Sequence, residues 1–432
     1  MRLERRQSTD GRGRSPRAAR GVRGALAGAV LGTIGCRAPA HAAPEPHSHV
    51  LTCPAFDGAE ASWGSTGRDD RGQIWIGLSA RLGEGASAHL CRYDPTADAC
   101  LDCGDVLSQL ARLGILRPGE AQMKIHTKLV QATDGHVYFA SADDTGMDPV
   151  TLQLPIWGSH LWRIDPQDCA WEHLAALPEG VIALSGAGKW VYAFAYFGHV
   201  LYQLDTESGN LRRVVVGSVG SHISRNLFCD ASGHVYVPRV QPGAAPGTFL
   251  VDLVEFDTAL EERAAHRLDY YGATADLWSQ GITGFAHMND GAIVFVTQPG
   301  HLYRVTPHPA GASELMSLGW LDGAGDYVPS LFTPDGTDTL VGVLRQDGEF
   351  SGLSFEWYTH DLRSGQTALE PFLIDGKEAG RSYRLYGSET ADAQGGMYLV
   401  GYFGRAGVKT PVLLRVLLEE SGPEAWSGWG LR

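Results

Sequence analysis

A repeated pair of short segments runs along residues 70–416 and limits the fold more than any other feature of this chain. In each repeat, a turn rich in Asp and Gly leads into a run of β-forming residues, and a second such run follows. The first runs end at Trp75, Tyr138, Tyr192, Tyr236, Val294, Leu340 and Tyr398. Neighbouring repeats are about 54 residues apart on average, which is long for a WD40 unit and closer to kelch repeats.

The turns and strands of these repeats suit antiparallel hairpins. Gly accepts positive φ, Asp bonds its own turn backbone, and Val, Tyr, Trp and Ile suit a half-buried pleated surface. A single small sheet cannot bury both faces, whereas a ring of sheets can. We therefore predict an all-β, seven-bladed β-propeller of four-stranded antiparallel blades. A chance series of hairpins in a β-sandwich would not give seven matched pairs. A closing strand is expected within 44–60 and a short helix within 105–114.

The first 43 residues differ in composition from the rest of the chain. Residues 1–37 contain nine Arg, residues 24–35 form a short apolar run, and Ala40-His41-Ala42 has an A-x-A pattern. These are the parts of an export signal, and the apolar run is too short to span a bilayer. We predict a signal segment at 1–43, a single propeller domain at 44–432, and location in a bacterial periplasm or outside the cell. Cys36 loosely matches a lipid-attachment site, so a lipid anchor there is the alternative to release.

The charge of the remaining chain excludes one class of partner. Residues 38–432 keep 26 of the 35 Lys and Arg residues and 47 of the 49 Asp and Glu residues, for a formal charge of −21. Such a surface repels a phosphate backbone, and no basic stripe is present. We therefore expect no nucleic-acid partner. We also expect no transmembrane span and a monomer.

Six cysteines remain after Cys36, an even number that favours disulfides in an oxidising compartment. Cys91, Cys100 and Cys103 lie close together at the end of the first repeat. We expect Cys53 or Cys91 to pair within this cluster, with Cys100 and Cys103 as partners. A redox or zinc pair at Cys100 and Cys103 is the alternative, but no second C-x-x-C or His pair accompanies it.

The sequence has no Walker A motif, no G-x-S-x-G elbow, no H-E-x-x-H and no Rossmann glycine pattern. We therefore expect the functional site in the central channel of the propeller. The strand that precedes each Gly turn lines this channel. These strands carry Lys124-Ile-His126-Thr-Lys128, His222 to Asn226, Thr283 to His287 and Arg384 to Thr390. Each side chain has an ordinary structural explanation, such as a hydrogen-bonded His or a packing Tyr. Their convergence on one axis favours a site.

One part of this pattern resembles a known family. Lys124-Ile-His126-Thr, then Asp134-Gly-His-Val-Tyr-Phe139, then Gly158-Ser-His-Leu-Trp-Arg-Ile-Asp-Pro166 is similar to a blade of seven-bladed-propeller polysaccharide lyases. The resemblance covers mainly residues 124–166, with weaker support at 224–226 and 386–388. It implies β-elimination on uronate-containing chains such as ulvan or rhamnosyl-glucuronan. The resemblance matches one functional residue, because His126 corresponds to the inner-strand His of the family.

The other roles follow from the chemistry of β-elimination. The uronate carboxylate must be neutralised, a base must take the C5 proton, and an acid must protonate the leaving oxygen. We predict His126 as base, Tyr196 as acid, and Arg225 with His222 around the carboxylate. These four should line one concave site.

A second group of residues is predicted to hold the rest of an acidic polysaccharide or oligosaccharide. Lys124 and Arg239 would bind neighbouring sugars, Trp157 would stack on one, and His287 and Tyr386 complete the set. The reaction requires no cofactor, and a structural Ca²⁺ would suit a chain rich in Asp.

Two other functions compete with the lyase. A non-catalytic propeller that binds a protein or a glycan on its rim needs no convergence of His, Arg and Tyr, and fold does not imply function. A metal-dependent hydrolase or lactonase needs several inner-strand carboxylates around one cation, and few are present.

Overall fold

The computed structural model describes residues 45–54, 56–197, 199–220, 222, 224–272, 281–322, 327–334, 336–348, 352–374, 382–405 and 408–419. These residues form seven successive antiparallel sheets and confirm the predicted seven-bladed β-propeller with four-stranded blades. The chain divides after Ala42, and the unit Ala43–Arg432 contains every described element. The predicted signal segment and Cys36 lie outside the described residues.

The first half of the chain forms blades one, two and three, and its first strand belongs to blade seven. The strands begin with β1 (Glu45–Val50), and blade one has β2 (Ala59–Ala61), β3 (Thr66–Arg68), β4 (Ile74–Ala80), β5 (His89–Asp94) and β6 (Ala99–Asp105). Helix α1 (Val106–Arg112) follows, and blade two has β7 (Lys124–Ile125), β8 (Val130–Gln131), β9 (Val137–Ala142), β10 (Ser159–Ile164) and β11 (Trp171–Leu177). Blade three has β12 (Gly180–Ala187), β13 (Trp190–Tyr196), β14 (Val200–Asp205) and β15 (Leu211–Val215).

The second half repeats the same order. Blade four has β16 (Phe228–Cys229), β17 (Val235–Pro242), β18 (Phe249–Phe256) and β19 (Glu262–Arg267). Blade five has β20 (Ile282–His287), β21 (Ile293–Thr297), β22 (His301–Thr306) and β23 (Glu314–Trp320). Blade six has a hydrogen-bonded sheet of β25 (Thr339–Gly348), β26 (Gly352–Asp361) and β27 (Gln366–Pro371). The short inner strand before them, β24 (Ser330–Leu331), is linked to β25 by the bridge between Phe332 and Val341 and also pairs in parallel with the inner strand of blade seven. Blade seven has β28 (Ser382–Ser388), β29 (Met397–Arg405), β30 (Val408–Glu419) and the chain's first strand, β1.

An Asp turn joins the inner strand of a blade to the next strand. In blade four, Asp230 Oδ1 accepts hydrogen bonds from the backbone N–H groups of Ser232 and His234, and Oδ2 accepts one from the Tyr236 hydroxyl at 2.9 Å. Gly233 takes φ +86° at this turn, a value that L side chains rarely adopt. Asp392 repeats the arrangement with the Tyr398 hydroxyl at 2.8 Å in blade seven. In these two blades, the Asp of the Asp–Gly–aromatic spacing therefore stabilises the turn, because it binds both the turn backbone and the tyrosine hydroxyl of the next strand.

The hydrophobic core is divided among the contacts between neighbouring blades. Blades one and two, for example, pack Trp75 and Leu90 against Phe139 and Trp162, and all four side chains are buried. A comparable cluster lies between each other pair of neighbours within the described residues, including blades seven and one. Burial of this kind is worth about 25 cal/mol per Å² of apolar surface. Each blade is therefore stabilised by two neighbours rather than by its own sheet.

The first and last described strands close the ring. β1 pairs antiparallel with β30 and supplies the fourth strand of blade seven, in a register that places Val50 opposite Leu414. The predicted closing strand is thus present. The predicted helix is also present as α1, where the Asp105 side chain accepts a hydrogen bond from the Ser108 N–H at 3.0 Å. No helix among the described residues has the length and apolar character that crossing a bilayer requires.

Two cysteine pairs lie at disulfide distance. Cys53 pairs with Cys100, as predicted, and ties the segment after β1 to blade one. Cys103 pairs with Cys169 of blade two, a partner that the sequence did not identify. The C-x-x-C pair is therefore split between two disulfides, and the redox or zinc interpretation of it is wrong. Cys91 and Cys229 are buried thiols.

Candidate functional site

The inner strands of the blades surround a channel with two different ends. First strands of neighbouring blades contact one another, and β20 of blade five also contacts β28 of blade seven. The inner strands β24 and β28 pair in parallel, so they run in the same direction along the channel. The residues that come early in these strands meet at one end, which we call the His126 end (Trp63, Lys124, His126, Arg225 and Tyr386). Later residues meet at the other end, which we call the His287 end (Arg68, Lys128, His287, Glu389 and Thr390).

His126 and Arg225 are in direct contact although 99 positions separate them. Arg225 Nη1 donates to His126 Nε2 at 3.2 Å and to the Trp63 carbonyl at 3.0 Å. Because a guanidinium always donates, this contact needs an unprotonated Nε2 on His126. Burial, followed by the charges of Arg225 and Lys124, holds the pKa of His126 well below its ordinary value. His126 is therefore a neutral imidazole beside a fixed cation.

Aromatic rings enclose this pair. The Arg225 guanidinium carbon lies 4.1 Å from the centroid of the Tyr386 ring, and the Trp63 ring meets His126 edge-on at 6.3 Å. The Tyr386 hydroxyl is buried without a hydrogen bond of ordinary geometry in the described residues, and it lies close to Arg384. Tyr327 packs against Tyr386, and burial raises the pKa of Tyr327 although Arg225 lowers it. A buried hydroxyl next to a guanidinium is a candidate proton donor.

The strand pattern explains why these side chains face the channel. Ile125 and Thr127 are fully buried, whereas Lys124, His126 and Lys128 are partly exposed, as alternation along a strand requires. Lys124 and His126 reach the same end, and Lys128 lies deeper. The sequence therefore predicts directly which side chains of this strand face the channel.

An acidic residue joins Lys124 to Tyr196. Lys124 Nζ forms an ion pair with Asp144 Oδ2, and the Tyr196 hydroxyl donates to Asp144 Oδ1 at 3.5 Å. Burial, and then the charge of Asp144, raises the pKa of Tyr196 well above its ordinary value. Tyr196 therefore stays protonated, and its hydroxyl faces a carboxylate. Lys124 also lies 5.7 Å from the Trp63 ring, which links this group to His126.

The described residues enclose one small cavity at the His126 end. The cavity between His126, Arg225, Tyr386, Trp63 and Lys128 has a volume of about 10 Å³. A cavity needs roughly that volume to hold one water molecule.

Three of the predicted site residues contact other parts of the molecule. His222 packs edge-on against Phe249, and its buried Nδ1 makes no hydrogen bond within the described residues. Arg239 pairs with Glu262 at 2.7 Å on the outer strands of blade four. Trp157 stacks under Arg117, whose guanidinium carbon is 4.9 Å from its ring centroid. None of these contacts involves His126 or Arg225.

His287 lies at the opposite end of the channel. Its Nδ1 donates to Glu389 Oε1 at 2.5 Å, and its Nε2 donates to the Cys229 carbonyl at 2.7 Å. Burial alone would lower the pKa of His287, but Glu389 outweighs it and raises that pKa to about 9. His287 is therefore an imidazolium with both N–H groups engaged, and it has no lone pair to act as a base.

Some residues of the His126 end were not among those predicted. Trp63 lies before the first Asp turn, at the same place in its blade as the other inner-strand residues, so its position was a usable signal. Asp144 lies in the loop after β9, and nothing in the sequence links it to Lys124. Lys409 Nζ, 5.3 Å from the Trp63 ring, comes from the middle of a hairpin.

The described residues contain one group of three side chains able to ligate a metal, at Cys53, Cys91 and Cys100. Two of these are joined in a disulfide. The predicted structural Ca²⁺ stays a prediction.

Comparison with known proteins supports the fold. No family model matches the chain, and no curated protein matches it. Among solved structures, it is similar to a protein of unknown function from Dyadobacter fermentans, with 10% identity, a TM-score of 0.50, and coverage of 86% of this chain and 98% of that one. YCF48 from Cyanidioschyzon merolae gives 10% identity, a TM-score of 0.50, and 88% and 100% coverage. The polysaccharide lyase Uly1 gives 9% identity, a TM-score of 0.48, and 87% and 100% coverage.

Proposed function

We propose that the His126 end cleaves uronate-containing polysaccharides by β-elimination. The observation that supports this most strongly is the 3.2 Å contact between a neutral His126 and the Arg225 guanidinium. A base and an anion-neutralising cation must lie within one sugar residue, and this contact meets that requirement. Disulfides are common in exported proteins, which suits a polysaccharide substrate outside the cell.

The first step is an exchange of hydrogen bonds. Arg225 Nη1 now donates to His126 Nε2, so the lone pair that a base needs is occupied. When a uronate carboxylate enters, Arg225 turns to donate to it and releases Nε2. Neutralising the carboxylate makes the C5 proton more acidic, because the charge that develops beside C5 is stabilised. Substrate binding therefore switches on the base.

The elimination then needs a proton for the leaving group. His126 takes the C5 proton, the electrons of that bond form the C4–C5 double bond, and the bond from C4 to its oxygen breaks. That oxygen takes a proton from a tyrosine hydroxyl. The Tyr386 ring stacks on the Arg225 guanidinium, whereas the Tyr196 hydroxyl donates to Asp144. We assign the acid to Tyr386 and keep the sequence-based choice, Tyr196, as its direct competitor.

A panel of acidic polysaccharides tests this proposal. Incubation with the substrate should produce the ultraviolet absorbance of an unsaturated uronate, and His126→Ala should abolish it while the circular dichroism spectrum stays unchanged. Tyr386→Phe and Tyr196→Phe each remove one tyrosine hydroxyl, so each variant is the control for the other. Loss of activity in Tyr386→Phe alone supports our assignment, and loss in Tyr196→Phe alone supports the sequence-based one. Retained activity in His126→Ala would refute the lyase.

A non-catalytic glycan-binding propeller is the second candidate, and the 10 Å³ cavity favours it. A binding protein needs no room for a sugar beside His126. In that case the same panel would give binding without new ultraviolet absorbance.

A further inference from the structure

The His287 end of the channel contains a much larger cavity than the His126 end. Its volume is about 470 Å³, within the range of about 300–1,000 Å³ that is usual for small-molecule sites. Lys128 and Ser388 line both cavities and separate them. The large cavity is therefore a distinct space that the proposed elimination does not use.

Two cations in this cavity, Lys128 and Arg68, form no ion pair within the described residues, and the nearest acidic influence on Lys128 comes from Glu389. No carboxylate of the described residues lies within 4.0 Å of a charged nitrogen of Lys128 or Arg68. Lys128 Nζ donates to the Ser388 carbonyl at 3.1 Å and lies 3.5 Å from Thr66 Oγ1, both of which are neutral. Arg68 makes a 3.4 Å hydrogen bond to the Ala391 carbonyl. A partly buried ammonium with no carboxylate at ion-pair distance is incompletely compensated, which favours an anionic ligand.

The remaining polar groups accept hydrogen bonds and limit the ligand's charge. Asp70 and Glu389 line the same cavity, and their carboxylates repel a second negative charge on a ligand. Both are good acceptors for hydroxyl groups. Phe285 and Leu184 supply buried apolar contact. The lining thus combines one region for an anion with another for hydroxyl donors.

We propose that the cavity at the His287 end binds a small hydroxylated monocarboxylate of the sugar-acid class. Its carboxylate contacts Lys128 and Arg68, and its hydroxyls donate to Asp70 and Glu389. This binding site does not depend on the proposed elimination, because none of the groups assigned to the elimination binds the ligand here. The His287 and Glu389 pair fixes the cavity wall between β20 and the turn after β28.

The charge of Lys128 gives this binding a pH dependence. Burial lowers the pKa of Lys128 to about 8, although Glu389 opposes the effect. Lys128 is therefore charged below pH 8 and loses its proton as the pH rises through that value. Arg68 supplies the second positive charge of the cavity. Affinity for a carboxylate should fall above pH 8 without vanishing.

Calorimetric titration of the full chain with D-glucuronate tests the proposal. Saturable binding at pH 7 is expected, and Lys128→Met and Arg68→Gln should each weaken it at least tenfold. The matched control is Lys189→Met, because Lys189 pairs with Glu207 on the rim of blade three. The Arg225→Gln variant locates the signal, since binding that survives in it does not come from the His126 end.

The outcomes separate this site from others. Binding that persists in Arg225→Gln and weakens in Lys128→Met supports the proposal whether or not the protein is a lyase. The proposal is overturned if glucuronate does not bind, if Lys128→Met binds it as well as the wild type, or if binding disappears in Arg225→Gln. Equal affinity for glucose, glycine or phosphate would overturn the ligand class.

Discussion

The two ends of the channel each present a histidine from an inner strand, yet the two imidazoles are in opposite states. His126 contacts Arg225 and is neutral, whereas His287 contacts Glu389 and is protonated. Burial opposes a charge on both rings. The neighbour's charge therefore decides the outcome, and an inner-strand histidine can serve as a base at one end only.

The first test breaks the comparison at the His126 end. Arg225→Gln should lower kcat/KM on the substrate that the panel identifies by about 10²–10³, because the carboxylate of the uronate loses its charged donor. Arg163→Gln is the matched control, since Arg163 pairs with Glu172 away from the channel. Activity within threefold of wild type in Arg225→Gln would contradict the proposed role.

The second test concerns the pH profile. Because the pKa of His126 lies well below the ordinary value of about 6.5, kcat/KM should stay nearly constant from pH 7 down to pH 5.5. In Arg225→Gln a positive neighbour is lost, so the pKa of His126 should rise and the residual activity should fall at a higher pH. A wild-type profile with its midpoint near 6.5 would show that His126 is not held neutral.

The third test exchanges the partner at the His287 end. Glu389→Gln should lower the pKa of His287 from about 9, because burial is then opposed only by the hydrogen bond to the Cys229 carbonyl and the charge of Asp230. The raised pKa in the folded protein gives stability that is complete below pH 6.5 and lost as the pH rises through 9. The His287 side chain is 47% exposed, so solvent screening limits this contribution to about 1 kcal/mol.

Nuclear magnetic resonance titration of the histidine ring, together with urea unfolding at pH 6 and pH 9.5, measures both effects. Wild type should lose stability between these two values relative to Glu389→Gln. An unchanged His287 pKa in Glu389→Gln would show that another group sets it. The elimination rate should be unaffected.

The smallest effect is expected at Asp144. Asp144→Asn removes a partly exposed ion pair with Lys124, worth about 0–1 kcal/mol, so kcat/KM should change less than about fivefold. The pKa of Tyr196 should fall but stay above its ordinary value, because burial is the larger cause. Ultraviolet difference titration of the tyrosines measures this. A loss of 10² in kcat/KM would instead place Asp144 and Tyr196 in the reaction.

The sequence was most informative where the structure repeats. Seven Gly turns, six of them with Asp, and alternating strands predicted the propeller, the closing strand β1 and the channel-facing positions of Lys124 and His126. It could not predict which inner-strand residues reach the same end. His222 and Arg225 are three positions apart, yet Arg225 contacts His126 and His222 packs against Phe249. Side-chain direction in an irregular segment is set by tertiary packing, which no periodicity records.

The same limit applies to residues outside the strands. Asp144 comes from a loop, and Cys169 finds Cys103 across a blade boundary at a sequence separation of 66. Loops have no fixed period, so their contacts depend on how two blades dock. The predicted roles of Arg239 and Trp157 also came from residue type without a position in the ring.

The pairing of β1 with β30 has a consequence for the order of folding. Val50 is among the first residues of the propeller to be synthesised, and its partner Leu414 is among the last. A ring closed by so distant a pair has a high contact order, so its folding should be slow and should end with this step. Until then, the unpaired edge of β30 and the open face of blade one can pair with another chain. Aggregation is therefore expected mainly at the contact between blades seven and one, before β1 pairs with β30 in the last step of folding.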